Sequence, residues 1–298
     1  MTMKAAVIGG GAIGGYLATM LHDAGQDVTL CVRTPFERLV VGEPGGETRT
    51  VPVTIASRPE EVGAADFIVL ATKAQDTESA APWLERLAGP DTTILVAQNG
   101  IEQVTGTQPF ANGATIVPAI VYIAAERKAP GHIVHHSNSQ LVLPGDATGE
   151  TAAQCFAGAD LTIEMADDFL TIAWRKLLSN IVANPITCLT MRRIDVFSEP
   201  NVRSLALGLM REAIAAGRAE GAKLGDEEAE RVLRSYEGVN PGSGSSMLYD
   251  RLSGRSLEHE HLTGAVVRAA ERHGVDVPLN RAIFALVDAL DRSAERRS

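Results

Sequence analysis

Lys176, Asn180 and Asn184 stand at i, i+4 and i+8 in the run Ala173-Trp-Arg-Lys176-Leu-Leu-Ser-Asn180-Ile-Val-Ala-Asn184-Pro-Ile-Thr187. On a helix they form a nearly straight polar ladder along an otherwise apolar side. One lysine and two amides there are costly to bury without a ligand or partners. A helix that shows the stripe to water is the plainer alternative. Two further polar groups close apolar runs: Lys73 follows Phe67-Ile-Val-Leu-Ala71, and Asn99-Gly100 follows Ile94-Leu-Val-Ala97.

The chain opens with a third chemical signal. Lys4-Ala-Ala-Val-Ile8 runs at once into Gly9-Gly10-Gly11-Ala12-Ile13-Gly14-Gly15 and then into a helical pattern. In a strand, turn and helix of this kind, Gly9 allows the tight turn. Gly11 lets backbone N–H groups approach a pyrophosphate, and Gly14 lets the helix pack close to the sheet. The helix N-terminus then carries the anion. The second strand ends in Arg33, where an NAD-binding unit usually places a carboxylate for the ribose 2′-hydroxyl. A cation suits a 2′-phosphate, so the expected cofactor is NADP(H), and Arg38 lies close enough to assist. With a dinucleotide in place, Lys73 would supply a cation near its ribose, and Asn99 an amide for nicotinamide or substrate. A solvated lysine and a turn asparagine are the competing readings.

These groups need elements to hold them. Up to about residue 100 strands and helices alternate, with strand candidates at Ala5–Ile8, Asp27–Val32, Val51–Ala56, Asp66–Thr72 and Thr92–Ala97. Alternation of this kind predicts a doubly wound, Rossmann-type parallel sheet covered on both faces. Ile116–Ala124 and Gly131–Val142 read as two strands joined through Lys128-Ala-Pro-Gly131, an antiparallel extension of that sheet, and Asp160–Met165 adds one more. After Asp167 the pattern is helical: Asp168–Arg192, Glu199–Leu224, Asp226–Tyr236, Leu257–His273 and Asn280–Ala294, broken by a loop at Glu237–Ser246. Pro185 should bend or interrupt the first of these helices. The expected organisation is an NADP-binding domain over residues 1–166 and an all-helical substrate domain over 167–298.

Composition limits the partners. With 27 basic against 37 acidic side chains the formal charge is −10, which disfavours nucleic acid and anionic membranes. No stretch approaches the roughly 18 consecutive apolar residues of a membrane span, and no signal peptide is expected ahead of the first strand. Cys31, Cys155 and Cys188 are scattered in apolar surroundings and read as reduced core residues of a cytoplasmic protein. No metal is expected: His259-Glu-His261 is an i, i+2 pair, which a helix directs to different faces.

Taken together, the glycine turn, Lys73, Asn99-Gly100, Trp174-Arg-Lys176 with Asn180 and Asn184-Pro-Ile-Thr187, Ser245-Ser-Met-Leu-Tyr-Asp250, Glu258 and His273-Gly-Val-Asp-Val-Pro278 resemble the ketopantoate reductase family, in order and over nearly the whole chain. The resemblance implies NADPH-dependent reduction of the 2-keto group of ketopantoate, a small-molecule 2-keto acid, to pantoate in pantothenate biosynthesis. It also implies the roles. Lys176 is the general acid, assisted by Glu258; Asn180, Asn184 and Ser246 bind substrate; Asn99 and Glu258 contact cofactor near the reacting centre. The chemistry agrees, because hydride arriving at a ketone leaves a developing alkoxide that a proton-donating cation stabilises. Burial would lower the lysine pKa and a nearby carboxylate would raise it.

The chain departs from the family's pattern at Thr190-Met-Arg-Arg-Ile-Asp195 and at Thr263-Gly264, both on the expected substrate side. The alternatives are therefore a reductase of another 2-keto acid and an NADPH-binding sensor without turnover, which would have no use for a proton donor. A homodimer is a possible assembly.

Overall fold

The apolar run at the start of the chain is buried on both faces at the centre of a six-stranded parallel sheet. The computed structural model describes residues 2–295, and the chain divides into two compact units, Met1–Phe169 and Leu170–Ser298.

The strands of the first unit are β1 (Lys4–Ile8), β2 (Asp27–Cys31), β3 (Leu39–Gly42), β4 (Thr48–Val51), β5 (Thr54–Ala56), β6 (Phe67–Leu70), β7 (Thr93–Val96), β8 (Thr115–Pro118), β9 (Ile120–Ala129), β10 (His132–Pro144) and β11 (Thr162–Ala166). Its helices are α1 (Ala12–Asp23), α2 (Ala81–Leu87), α3 (Gln103–Thr107) and α4 (Ala147–Gln154). The parallel sheet runs β5-β2-β1-β6-β7-β8, the order of a dinucleotide-binding fold, with the change of direction between β1 and β6. Alternation sorts its side chains: Ala5 and Val7 join α1 in one core, while Ala6 and Ile8 join Leu84 and Leu87 of α2 in the other.

Two expected strands divide at prolines. Val51–Ala56 is interrupted at Pro52, which has no N–H for a ladder, so β4 and β5 enter different sheets. Ile116–Ala124 divides after Pro118: β8 completes the parallel sheet, and β9 pairs antiparallel with β10. That hairpin belongs to a second, mixed sheet ordered β11-β10-β3-β4 with β9 on β10. The short strand β3, which lacks a pattern long enough to read from sequence, supplies its link to β4. Helix α1 packs between the two sheets, its Tyr16, Leu17 and Leu21 sharing one core with Leu39, Ile133 and Leu141.

Helix α5 (Phe169–Thr190) starts at the last residue of the first unit and otherwise lies in the second, which also contains α6 (Pro200–Ala219), α7 (Glu228–Glu237), α8 (Ser246–Leu252), α9 (Thr263–His273) and α10 (Pro278–Glu295). Pro185 lies inside α5 without interrupting it: Ile181, Val182 and Ile186 are buried around it, and packing outweighs the one lost backbone bond. Helices α6, α9 and α10 pack on one another, and Gly274 ends α9 in the left-handed conformation at φ 65°. The stretch before Glu258 holds the short helix α8, and Glu258 is followed by a single 3₁₀ turn at His259–His261 before α9 begins. No helix among the described residues is long and apolar enough to cross a membrane.

Candidate active site

In the first unit, chemistry collects at the carboxyl ends of β2, β1, β6 and β7. Gly9 adopts φ +114° and donates its N–H to Cys31 O at 2.9 Å. A Cβ on Gly9 would lie 2.8 Å from Ala71 O, and one on Gly14 would lie 1.9 Å from Gly9 O. Only glycine permits this approach of helix to turn. Gly11 is the N-cap of α1, no side chain caps the helix, and its first turn holds no acidic residue. A Cβ built at Gly11 meets nothing within 4 Å. The space beside Gly11 is therefore open at the end of α1 where the first helical N–H groups lack intrahelical acceptors, as a pyrophosphate site requires. The residues fit a dinucleotide.

Arg33 is exposed two residues beyond β2 and makes no ion pair among the described residues. Arg38 is exposed in the loop that follows. Half-buried Lys73 caps the 3₁₀ turn Ala74–Asp76 after β6. Half-buried Asn99 follows β7 and precedes Gly100, whose φ of +104° turns the chain away. All of the residues expected to hold the cofactor from this unit thus lie along one sheet edge.

In the second unit the ladder on α5 is present and its far end is engaged. Asn184 is buried, and its Oδ1 accepts from Ser246 Oγ at 3.1 Å and from the Met247 N–H at 3.2 Å. One turn on, Thr187 Oγ1 lies 2.7 Å from Ser245 Oγ, which caps α8 by accepting from the Leu248 N–H. Ser245 was not among the expected site residues, although a serine just ahead of an apolar helix is a capping signal. Lys176 and Asn180 are half-buried along the same face.

Glu258 is almost wholly buried, at 3% exposure, and acts electrostatically on Lys176. Although Lys176 is half-buried as a residue, desolvation of its ammonium lowers its pKa to about 8, and the Glu258 carboxylate opposes that fall. A lysine so placed is still mainly protonated at neutral pH and gives up its proton more readily than an ordinary lysine.

Two neighbouring features complete the picture. His259 and Glu260 come together with Asp288, but Glu260 is paired with Arg268 and Asp288 with Arg292, an ion-pair network. In the segment that departs from the family pattern, Arg193 donates to the Tyr249 hydroxyl at 3.0 Å, and that oxygen also accepts from the Gly244 N–H. This places Arg193 beside the loop that leads to Ser246.

Known proteins resemble this chain in sequence and in fold. The model of the ketopantoate reductase PanE/ApbA family matches residues 5–147, and that of the family's C-terminal domain matches residues 168–291. The 2-dehydropantoate 2-reductase of Caulobacter vibrioides is 36% identical over 285 residues, covering 95% of this chain and 98% of the relative. That of Mycobacterium tuberculosis is also 36% identical, over 290 residues, covering 97% and 98%. The crystal structure of a PanE/ApbA family ketopantoate reductase from Ralstonia eutropha superposes with a TM-score of 0.90 at 31% identity, covering 98% of this chain and 100% of that one. A dimeric ketopantoate reductase from Staphylococcus aureus superposes with a TM-score of 0.89 at 26% identity, covering 98% and 99%. Matched in both halves and along almost its full length, the chain belongs to the ketopantoate reductase family of nicotinamide-dependent oxidoreductases.

Proposed function

We propose that this chain is an NADPH-dependent 2-dehydropantoate 2-reductase that converts ketopantoate to pantoate on the route to pantothenate. The observation that carries the reading is Lys176, an acid with a pKa lowered to about 8 beside the buried carboxylate of Glu258, on a helix that also presents Asn180 and Asn184. Relatives 36% identical over nearly the full length bear that activity as their name.

The bound dinucleotide supplies the hydride. Lys176 Nζ stabilises the oxygen that becomes an alkoxide and donates the proton that makes it a hydroxyl. Glu258 keeps Nζ charged despite its burial. Asn180, Asn184, Ser246 and Asn99 orient the keto acid. On the cofactor side, the turn from Gly9 to Gly14 takes the pyrophosphate and Lys73 the ribose region. Asn99 and Glu258 serve the nicotinamide end. Exposed Arg33 takes the 2′-phosphate and so selects NADPH over NADH. We further propose a homodimer, the assembly named for the Staphylococcus aureus relative.

A second reading, reduction of a different 2-keto acid, is favoured by the Arg193–Tyr249 pair beside the approach to Ser246. Loss of nicotinamide absorbance, followed with NADPH and a panel of 2-keto acids that includes ketopantoate, decides between them. Fastest turnover with ketopantoate is the expected result. Preference for another keto acid would establish the second reading, and no turnover with any would leave a dinucleotide-binding protein without catalysis.

A further inference from the structure

Gln98 stands between β7 and Asn99 and is buried, with 7% exposure. Its Nε2 donates to Thr77 Oγ1 at 2.9 Å and to Thr72 Oγ1 at 3.0 Å, and approaches the Lys73 carbonyl at 3.4 Å. The Thr77 hydroxyl gives its own proton to Ala74 O at 2.8 Å, so toward Gln98 it acts as the acceptor. The main-chain carbonyl of Gln98 in turn accepts from Gln103 Nε2 at 3.2 Å, and that nitrogen also reaches Ala119 O at 3.5 Å. Two buried amides therefore join the segments that leave β6, β7 and β8 at the carboxyl edge of the sheet.

The same connection reaches the glycine turn. A Cβ on Gly9 would lie 2.8 Å from Ala71 O and 2.9 Å from Thr72 N, so the turn rests directly on the segment that Gln98 holds. The segment that Gln98 bonds follows β6, at the crevice between β1 and β6 where a fold of this strand order receives its dinucleotide. Hydrophobic packing alone does not set that spacing, because the Thr72 and Thr77 hydroxyl oxygens and the Lys73 carbonyl are polar acceptors within reach of the two N–H groups of Gln98 Nε2.

We propose that Gln98 is a positioning residue for the dinucleotide. It holds Lys73 and Asn99 at the separation the cofactor needs, without touching the cofactor itself. The proposal rests on the cofactor reading above. Gln98→Met keeps the length and volume of the side chain and removes both donors, which frees the Thr72–Thr77 segment to shift relative to Asn99.

The test is a titration of the purified full chain with NADPH, followed by nicotinamide fluorescence and without any keto acid, alongside thermal melting. The control is Thr92→Val. Thr92 is also buried and donates to Ala65 O at 2.8 Å, but it lies at the amino end of β7, away from the site. Gln98→Met is expected to weaken NADPH binding about tenfold, the scale of one or two lost hydrogen bonds. Thr92→Val is expected to lower the melting temperature while leaving NADPH affinity unchanged. Thr72→Val removes one partner alone, gives a smaller loss in the same direction, and serves if Gln98→Met does not fold. Affinity within twofold of the wild type in the folded Gln98 and Thr72 variants, or an equal loss in Thr92→Val, overturns the positioning role. A wild-type chain that binds neither NADPH nor NADH overturns the cofactor reading itself, and the role of Gln98 falls with it.

Discussion

Asn184 Oδ1 accepts two hydrogen bonds from the start of α8, from Ser246 Oγ at 3.1 Å and from the Met247 N–H at 3.2 Å. One buried amide thus ends the polar ladder of α5 and sets the position of Ser246. Asn184 thus holds in place the side chain of Ser246, proposed above to bind substrate, and leaves its own Nδ2 as a donor for the same proposed role.

Asn184→Ala should therefore act twice. The buried Met247 N–H loses its acceptor, which costs about 1–3 kcal/mol of stability, and Ser246 loses its anchor. A lowered melting temperature together with a raised KM for the keto acid, at unchanged NADPH affinity, is the expected pattern. An unchanged KM would separate Ser246 and Asn184 from substrate binding.

Lys176→Ala should fold, bind NADPH and lose about 10²-fold or more in turnover, the scale of a general acid. Near-normal turnover would remove Lys176 from the mechanism.

The pH profile follows from the same residue. The acid must be protonated to act, and its pKa is lowered to about 8, so kcat/KM should fall as pH rises through about 8. Glu258 opposes the lowering, so Glu258→Gln should shift that limb to lower pH. A limb that stays in place in Glu258→Gln would show that the titrating group is not Lys176 under the influence of Glu258.

Arg33→Asp should weaken NADPH binding sharply and leave NADH binding equal or better, because the aspartate repels a 2′-phosphate and accepts from a 2′-hydroxyl. Titration with each dinucleotide measures this. Equal losses for the two would assign Arg33 a structural role.

Gly14→Ala would place a Cβ 1.9 Å from Gly9 O, a contact that backbone atoms cannot relieve without moving helix from turn. The expected result is destabilisation of about 1–3 kcal/mol, as for overpacking elsewhere, with loss of dinucleotide binding. Thermal melting and NADPH titration check both, and normal binding would show that the close approach is dispensable.

What the sequence by itself determined was whatever depends on near neighbours in the chain. The strand-turn-helix at Gly9 to Gly14 needs only local backbone freedom, and the i, i+4, i+8 spacing of Lys176, Asn180 and Asn184 puts them on one face wherever α5 lies. The alternating pattern up to residue 100 was legible as a parallel sheet because its central strands β1, β6 and β7 are buried on both faces and read as continuous apolar runs. Tertiary structure decided what long-range pairing controls. The change of sheet after Pro118, and the partnership of β3 with β4 and β10, depend on which edge each short strand meets, and a run of four residues such as β3 carries too little periodicity to announce it. Pro185 passes within an unbroken helix because Ile181, Val182 and Ile186 are packed around it, an outcome local propensity opposes. The lowered pKa of Lys176 and the hold of Gln98 on Thr72 and Thr77 likewise arise from burial and from contacts across many residues of chain. Desolvation and hydrogen-bond geometry exist only once the chain has folded around the groups concerned.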